Sequence, residues 1–199
     1  MHALILVDIQ NDFLPGGSLE VKEGDQIIPF INKIMDDFDV VVATQDWHPQ
    51  DHGSFASNHP GKQMGEVIQL EGLDQILWPD HCVQHSKGAE FAEELDLHRV
   101  QMIFHKGTDP KIDSYSGLFD NGHLKSTGLG EYLTDQGVNE VTCVGLAADF
   151  CVKFTALDAV NKFGFKTNVL KEGTRAVNIS PGDFERAKEE MGKAGILVK

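Results

Sequence analysis

Short continuous runs of apolar and β-branched residues recur along the chain, and the segments between them are longer and more polar. A run of this kind is typical of a β-strand that is covered on both faces of its sheet. The runs lie at residues 3–7, 40–44, 100–104, 140–146, 166–171 and 196–198. We therefore expect a sheet of roughly six strands.

Apolar residues at a spacing of three to four, which is typical of a helix with one buried face, occupy several of the intervening segments. They predict helices at about 27–38, 88–95, 127–136 and 149–163, and one that begins near Ser180–Pro181. In the helix 149–163 the inward positions are expected to be Phe150, Phe154, Leu157 and Val160. The rest of 51–98 has weak periodicity and is predicted to form long loops.

Strands and helices alternate along the chain, and this order favours a mainly parallel sheet with helices on both faces. The predicted fold class is α/β, a three-layer αβα sandwich. No linker, repeat or low-complexity tract divides residues 1–199, so we expect a single domain.

Open sheets of this kind bind ligands beyond the carboxyl ends of their strands. The residues that follow the predicted strand ends are Asp8, the pair Asp46 and His48, the pair His105 and Lys106, and the segment 147–151. An acid, a pair of metal-type ligands, a base and a thiol therefore reach one edge of the sheet. This edge is the predicted functional site.

The overall charge narrows the choice of partners. The chain of 199 residues has a formal net charge of −14, and such an acidic surface repels nucleic acid and anionic lipid. No segment approaches the roughly 20 apolar residues of a membrane-spanning helix, and no basic leader precedes the first apolar run. The three cysteines lack the spacing of a disulfide framework. We expect a cytoplasmic protein that binds neither nucleic acid nor membrane.

Cys151 stands at the start of a predicted helix, after the sequence GLAAD. The N–H groups and partial positive charge of a helix N-terminus lower the pKa of a thiol and can bind an oxyanion, which would suit a nucleophile. The alternative is a small buried residue, the usual role of cysteine. Position alone leaves both open.

Asp8 and Lys106 each end a predicted strand. Low-dielectric walls should raise the pKa of Asp8, which suits a proton acceptor; the alternative is a helix cap or turn, for which Asp12 is better placed. Lys106 could hold both Asp8 and a thiolate in their charged forms. The alternative interpretation of Lys106 is an ordinary lysine whose side chain leaves the sheet and reaches solvent.

Asp46 and His48 are two residues apart, so in an extended chain both side chains point the same way and can reach one ion. His81, in WPDHCVQH, is the best candidate for a third ligand, and His52 could be another. Two histidines and one carboxylate suit Zn²⁺, Fe²⁺ or Mn²⁺. The alternative is a solvated loop without a metal.

Three aromatic residues lie in or beside these loops and away from the periodic core faces. They are Phe13, Trp78 and Tyr115. Aromatic side chains in loops can wall a pocket for a flat ring. The alternative is that they pin the long loops onto the sheet.

Several segments together resemble one family of enzymes. LVDIQNDF, TQDWHPQDHGSF, LWPDHCVQ, FHKGTDPKIDSYSGLFDN and GLAADFCVKFTALDA occur in this order through most of the chain. They are similar to the motifs of the nicotinamidases, which belong to the isochorismatase-like cysteine hydrolase superfamily. The resemblance implies the isochorismatase-like, Rossmann-like version of the predicted α/β fold.

The resemblance also implies a role for each matching position. Asp8, Lys106 and Cys151 match a catalytic triad, and Asp46, His48 and His81 match the metal ligands. Phe13, Trp78 and Tyr115 match the aromatic pocket around a pyridine ring. The N–H groups of Ala148 and Cys151 match the oxyanion hole, beside a cis peptide bond between Ala147 and Ala148.

The implied reaction is hydrolysis of nicotinamide to nicotinate and ammonia through a thioester on Cys151, a step in the salvage of NAD. The implied cofactor is one divalent ion at the pyridine nitrogen, with zinc expected and iron or manganese as alternatives. Competing interpretations are an amidase for other small amides, a vinyl ether hydrolase of the isochorismatase type, and a catalytically silent metal-binding protein. A homo-oligomer is compatible with each of these interpretations.

Overall fold

The computed structural model of the protein describes residues 1–199 and is built around a parallel sheet of six strands. The strands of this sheet are β1 (His2–Val7), β2 (Val40–Asp46), β5 (Met102–Lys106), β6 (Glu140–Leu146), β7 (Lys166–Arg175) and β8 (Leu197–Val198). Their spatial order is β5-β2-β1-β6-β7-β8, and every neighbouring pair is parallel. The predicted mainly parallel sheet of roughly six strands is therefore confirmed.

Four helices flank the sheet, namely α1 (Ile28–Ile34), α2 (Leu129–Asp135), α3 (Cys151–Phe163) and α4 (Asp183–Lys193). Side chains of β1 alternate between the two faces: Leu4 and Leu6 pack in the core beneath α1, while Ile5 and Val7 pack in the core beneath the other three helices. Both faces are covered, which explains the continuous apolar strands. The three-layer αβα class is confirmed. None of the helices has the length and apolar composition that crossing a membrane requires.

The predicted inward face of α3 is right only in part. Val152, Ala156 and Ala159 are fully buried against the sheet. The predicted residues Phe150, Leu157 and Val160 pack against the core but are only half-buried, and Phe154 lies outside it. Small residues occupy the buried face because α3 packs closely onto β6 and β7, its neighbours in the layer below. The large aromatic residues are thereby displaced toward the edge of the sheet where the strands end.

The predicted helix at 88–95 is also wrong, since only a single 3-10 turn forms at Lys87–Ala89. The segment instead pairs with the chain that follows β1: Asn11 N–H donates to the carbonyl of Glu90, and Ala92 N–H donates to the carbonyl of Ile9. These hydrogen bonds replace those that a helix would have made. Within the predicted loops, β3 (Val67–Leu70) and β4 (Leu73–Ile76) form an antiparallel hairpin.

Three strands end later than predicted. β2 extends to Asp46, β5 runs from Met102 to Lys106 and β7 extends to Arg175. Asp46 and Lys106 are consequently the last residues of their strands and are partners in the β2–β5 register. This places the two side chains next to each other across neighbouring strands.

Candidate active site

The predicted edge of the sheet is where the candidate residues meet. β5 and β2 end in Lys106 and Asp46, and their neighbours β1 and β6 are followed by Asp8 and by the turn that leads to Cys151. The chain runs outward in opposite directions from β1 and β6, and such a switch point leaves a crevice at the strand ends. The prediction that these residues lie close together is confirmed.

Lys106 is the centre of the cluster and is 2% exposed. Its Nζ lies 2.5 Å from Asp46 Oδ1, 2.9 Å from Asp8 Oδ2, 2.8 Å from the carbonyl oxygen of Ser114 and 3.5 Å from Cys151 Sγ. Burial alone would lower the pKa of Lys106, but Asp46 and Asp8 outweigh it and raise the pKa well above its ordinary value. Lys106 is therefore a permanent cation, and the alternative of a solvent-exposed lysine is excluded.

Asp8 is completely buried and has two different carboxylate oxygens. Oδ1 accepts a hydrogen bond of 2.6 Å from Thr44 Oγ1, while Oδ2 touches Lys106 without an aligned hydrogen bond. Burial raises the pKa of Asp8 to about 6, against the opposing effect of Lys106. The expected rise in the pKa of Asp8 is confirmed. At neutral pH the carboxylate is ionised and basic enough to act as a general base.

The pKa of Cys151 shifts upward, against the lowering that the sequence analysis expected. Burial raises the pKa of this thiol well above its ordinary value; Lys106 opposes the shift, while Asp8 and Asp46 add to it. Ligand atoms of Asp8, Asp46 and Cys151 all lie within 4.8 Å of one another. The thiol is thus protonated at rest and has a carboxylate beside it that can take the proton.

The expected oxyanion donor at Ala148 needs correction. The N–H of Ala148 donates to the carbonyl of Arg175 at 2.8 Å, and the cis peptide bond joins Leu146 to Ala147. The N–H groups of Ala147 and Cys151 make no hydrogen bond within the chain, and both residues line the cavity described below. β7 extends far enough to occupy Ala148, so the free donors are those of Ala147 and Cys151.

The predicted metal ligands come together in a buried cluster. Asp46 Oδ2 lies 3.6 Å from His48 Nε2 and 3.8 Å from His81 Nε2. Burial lowers the pKa of His48 but Asp46 outweighs it, and the net shift is upward; burial lowers the pKa of His81 to about 4. A proton and a metal ion compete for the same imidazole lone pair, so the cluster suits a cation of either kind.

Hydrogen bonds to the outer nitrogens prepare both histidines for a metal. His48 Nδ1 lies 2.9 Å from the carbonyl oxygen of Gly107, and His81 Nδ1 lies 2.8 Å from that of Pro79. A carbonyl can only accept, so Nδ1 carries the hydrogen and Nε2 offers its lone pair toward Asp46. Two imidazole nitrogens and one carboxylate oxygen therefore fit a divalent transition metal.

His52 has the opposite tautomer. The backbone N–H of Ser54 donates to His52 Nδ1 at 3.2 Å, so in the neutral ring Nε2 carries the hydrogen. Burial lowers the pKa of His52 to about 4, which keeps the ring neutral, and Nε2 is buried without a partner. In this tautomer His52 presents an N–H donor beside the ring of His48, and one of its ring nitrogens lies within 4.8 Å of ligand atoms of His48 and Asp113.

One cavity of about 390 Å³ joins these groups. Cys151 lines it together with Asp46 and His81, and Phe13, Trp78 and Tyr115 supply aromatic walls. Trp78 Nε1 donates to the Tyr115 hydroxyl at 3.2 Å, which fixes the two rings relative to each other. The expectation that the three aromatic residues wall one pocket is confirmed in position.

The cavity also contains residues that the sequence analysis missed, namely Leu19, Asp113 and Val177, and two members of the segment 147–151 that it had placed at this edge, Ala147 and Phe150. Asp113 had a usable signal, since it stands only two residues before Tyr115, which the sequence analysis had named as a pocket wall. Leu19 and Val177 come from remote loops without periodicity, and no local pattern could have indicated them.

The chain belongs to the isochorismatase family: the family model described as the isochorismatase domain matches residues 2–194. Within this family, the chain is similar to nicotinamidases. The chain is 48% identical to the nicotinamidase of Escherichia coli strain K12, over 99% of this chain and 93% of that protein. The family resemblance read from the sequence motifs is thereby confirmed.

Solved structures of similar proteins share the fold closely. The yeast nicotinamidase bound to the inhibitor nicotinaldehyde has a TM-score of 0.94 and 34% identity, covering 100% of this chain and 99% of that chain. The pyrazinamidase of Pyrococcus horikoshii in complex with zinc has a TM-score of 0.80 and 39% identity, covering 100% and 98% of the two chains.

Proposed function

We propose that the protein hydrolyses nicotinamide to nicotinate and ammonia. The observation that carries the proposal is a single cavity lined by Cys151 and by two members of a metal-type donor set, Asp46 and His81. Behind the cavity wall, Lys106 contacts both the Cys151 thiol and the Asp8 carboxylate. The similarity to nicotinamidases supports the choice of substrate.

Cys151 is proposed as the nucleophile and Asp8 as the proton carrier. Because the pKa of Cys151 is raised, its thiol is protonated before the reaction begins. Asp8 therefore takes the thiol proton while the sulfur attacks the carboxamide carbon. Asp8 then delivers this proton to the departing ammonia. It takes another from the water that cleaves the thioester and returns it to the departing sulfur, so nicotinate leaves and the Cys151 thiol and the Asp8 carboxylate are restored. Lys106 keeps Asp8 ionised in a buried site where it would otherwise bind a proton more tightly.

The N–H groups of Ala147 and Cys151 are proposed to hold the oxyanion that forms when sulfur attacks. Both are free of other partners and belong to the turn between β6 and α3. Donors fixed in a buried site stabilise developing charge strongly, and loss of one typically costs about 10²–10³ in rate.

Asp46, His48 and His81 are proposed to hold one divalent metal ion, with zinc the expected occupant since a similar pyrazinamidase is in complex with zinc. Bound there, the ion would accept the lone pair of the pyridine nitrogen and withdraw electrons from the ring. Phe13, Trp78 and Tyr115 would bound the ring, which leaves its carboxamide facing Cys151.

An ammonia-release assay tests the proposal, with nicotinamide compared against aliphatic and carbamoyl amides on the purified protein. We expect nicotinamide to be the best substrate by a wide margin, because only a pyridine presents both a ring nitrogen and a carboxamide to the cavity. A preference for an aliphatic amide would overturn the assignment. Metal analysis of the same preparation identifies the bound ion.

The variant Cys151→Ala separates chemistry from binding. We expect it to release no ammonia while nicotinamide still binds in calorimetry, because the aromatic walls and the donor set of Asp46, His48 and His81 are unchanged. Cys143→Ala is the matched control: this thiol is buried within β6, outside the cavity, so activity should remain. Full activity in Cys151→Ala would remove the mechanism.

A further inference from the structure

The wall of the catalytic cavity separates it from a second, wider space. A surface groove of about 1210 Å³ runs between the β3–β4 hairpin, the start of α3 and α4. Tyr115 and Phe150 are the two residues that line both the groove and the catalytic cavity. Two aromatic rings therefore form the partition between the reacting centre and the groove.

The two rings are held in different ways. The Tyr115 hydroxyl accepts hydrogen bonds from Gln75 Nε2 at 3.1 Å and Trp78 Nε1 at 3.2 Å, and Phe154 stacks on its ring at 5.5 Å. Phe150 has no polar group and is half-buried, with edge contacts to Trp78 at 5.1 Å and Tyr115 at 5.5 Å. Phe150 is thus the part of the partition that can be displaced without breaking a hydrogen bond.

The groove favours apolar groups next to this partition. Its cations are already paired, Lys153 with Glu190 at 3.0 Å and Arg186 with Asp183. Ile76 and Phe154 supply apolar surface close to Tyr115 and Phe150. A charged substituent would have to compete with these ion pairs, whereas an alkyl group would gain contact area.

We propose that Phe150 sets the upper size limit of the substrate ring and that the groove behind it is a latent subsite for an apolar ring substituent. This proposal rests on the proposed function, since it concerns pyridine carboxamides in the same cavity. With the nitrogen toward Asp46 and His81 and the amide toward Cys151, the ring carbons left to face the partition are C4, C5 and C6. Phe150 touches the substrate through its ring face or edge and acts as a specificity residue.

The test compares nicotinamide with its 4-, 5- and 6-ethyl derivatives in wild type, Phe150→Ala and Phe150→Leu. For at least one derivative, the ratio of its kcat/KM to that of nicotinamide should rise at least about tenfold in Phe150→Ala, the scale on which pockets discriminate small apolar groups. Phe150→Leu, which retains more bulk and fold stability, should give a smaller rise in the same derivative. Thermal melts confirm that both variants are folded.

Phe184→Ala is the matched control, because Phe184 is a half-buried phenylalanine on α4 that lines neither the catalytic cavity nor the groove. Its ratios should stay within about twofold of wild type. Unchanged ratios in both Phe150 variants, or an equal rise in Phe184→Ala, would overturn the proposal.

Binding distinguishes this proposal from the proposed function. In the inactive Cys151→Ala background, adding Phe150→Ala should strengthen binding of the favoured ethyl derivative relative to nicotinamide by a similar factor, measured by calorimetry. A wild type that releases no ammonia from nicotinamide would refute the proposed function alone. Absence of the binding change would refute the size limit at Phe150 alone.

Discussion

The buried ammonium of Lys106 explains how two carboxylates and a thiol coexist in a dry site. It contacts Asp46, Asp8 and Cys151 at once, and without it two buried carboxylates would repel each other. The unequal contacts also separate the carboxylates: burial raises the pKa of Asp8, whereas Lys106 and His48 overcome burial and lower the pKa of Asp46. Neighbouring acids with pKa values pushed apart can take different roles, one as proton carrier and one as permanent anion.

The pH profile of nicotinamide hydrolysis should report Asp8. The group accepts a proton only when ionised and its pKa is raised to about 6, so kcat/KM should fall as pH decreases through about 6 and should be constant just above it. The measurement is kcat/KM for nicotinamide as a function of pH, with zinc at a saturating concentration. His105→Gln is the control, because His105 adjoins Lys106 in the chain and is not one of the metal ligands; the acid limb should persist in this variant. A profile flat down to pH about 4, the ordinary range of Asp, would contradict the assignment.

At the scale of elements, the bend at the end of β6 aims the catalytic turn. The β6–β7 register shifts between Cys143 and Gly145, and Gly145 has a φ of 114°. A Cβ at Gly145 would overlap the carbonyl oxygen of Val7, its partner on β1. Only glycine allows β1 and β6 to approach so closely, directly before Asp8 on one strand and the turn to Cys151 on the other.

Gly145→Ala should therefore be strongly destabilising. Both the positive φ and the backbone overlap must be relieved, and we expect the free energy of unfolding to fall by about 3 kcal/mol, measured by urea denaturation. Gly137→Ala is the matched control, since Gly137 has a φ of 75° but open space at its Cβ; it should lose only about 1 kcal/mol. Equal losses in the two variants would show that close strand approach is not the cause.

For the whole molecule, the donor cluster connects parts that the sheet alone does not hold together. Asp46 ends β2 and His48 follows two residues later, whereas His81 lies in the long connection between β4 and β5, which has little regular structure. A ligand that binds only the folded state stabilises it by mass action. A metal ion at this cluster would therefore stabilise the connection as well as serve the substrate.

Chelation should lower the melting temperature by several degrees, given about 2–4 °C per kcal/mol for a chain of this size, and added zinc should restore both stability and activity. His81→Ala should abolish the zinc-dependent shift, whereas His98→Ala, at an exposed histidine outside the cluster, should retain it. A melting temperature that is insensitive to verified metal removal would contradict a metal at Asp46, His48 and His81.

The sequence by itself determined the parallel sheet and the set of groups at its edge. Continuous apolar runs indicate strands that are covered on both faces, and the carboxyl ends of parallel strands lie at one edge of the sheet. The sequence alone therefore predicted that four residues lie close together, namely Asp8, Asp46, Lys106 and Cys151. Their chemical types and the family motifs then indicated an amide hydrolase.

Only the tertiary structure decided which atoms are free to act. The extension of β7 occupies the N–H of Ala148 and leaves that of Ala147 available, and the partners of His48, His52 and His81 fix which nitrogen of each ring is a donor. Burial from all sides reversed the expected pKa shift of Cys151. Such properties depend on contacts between segments far apart in the chain, whereas local patterns report only the period of each segment.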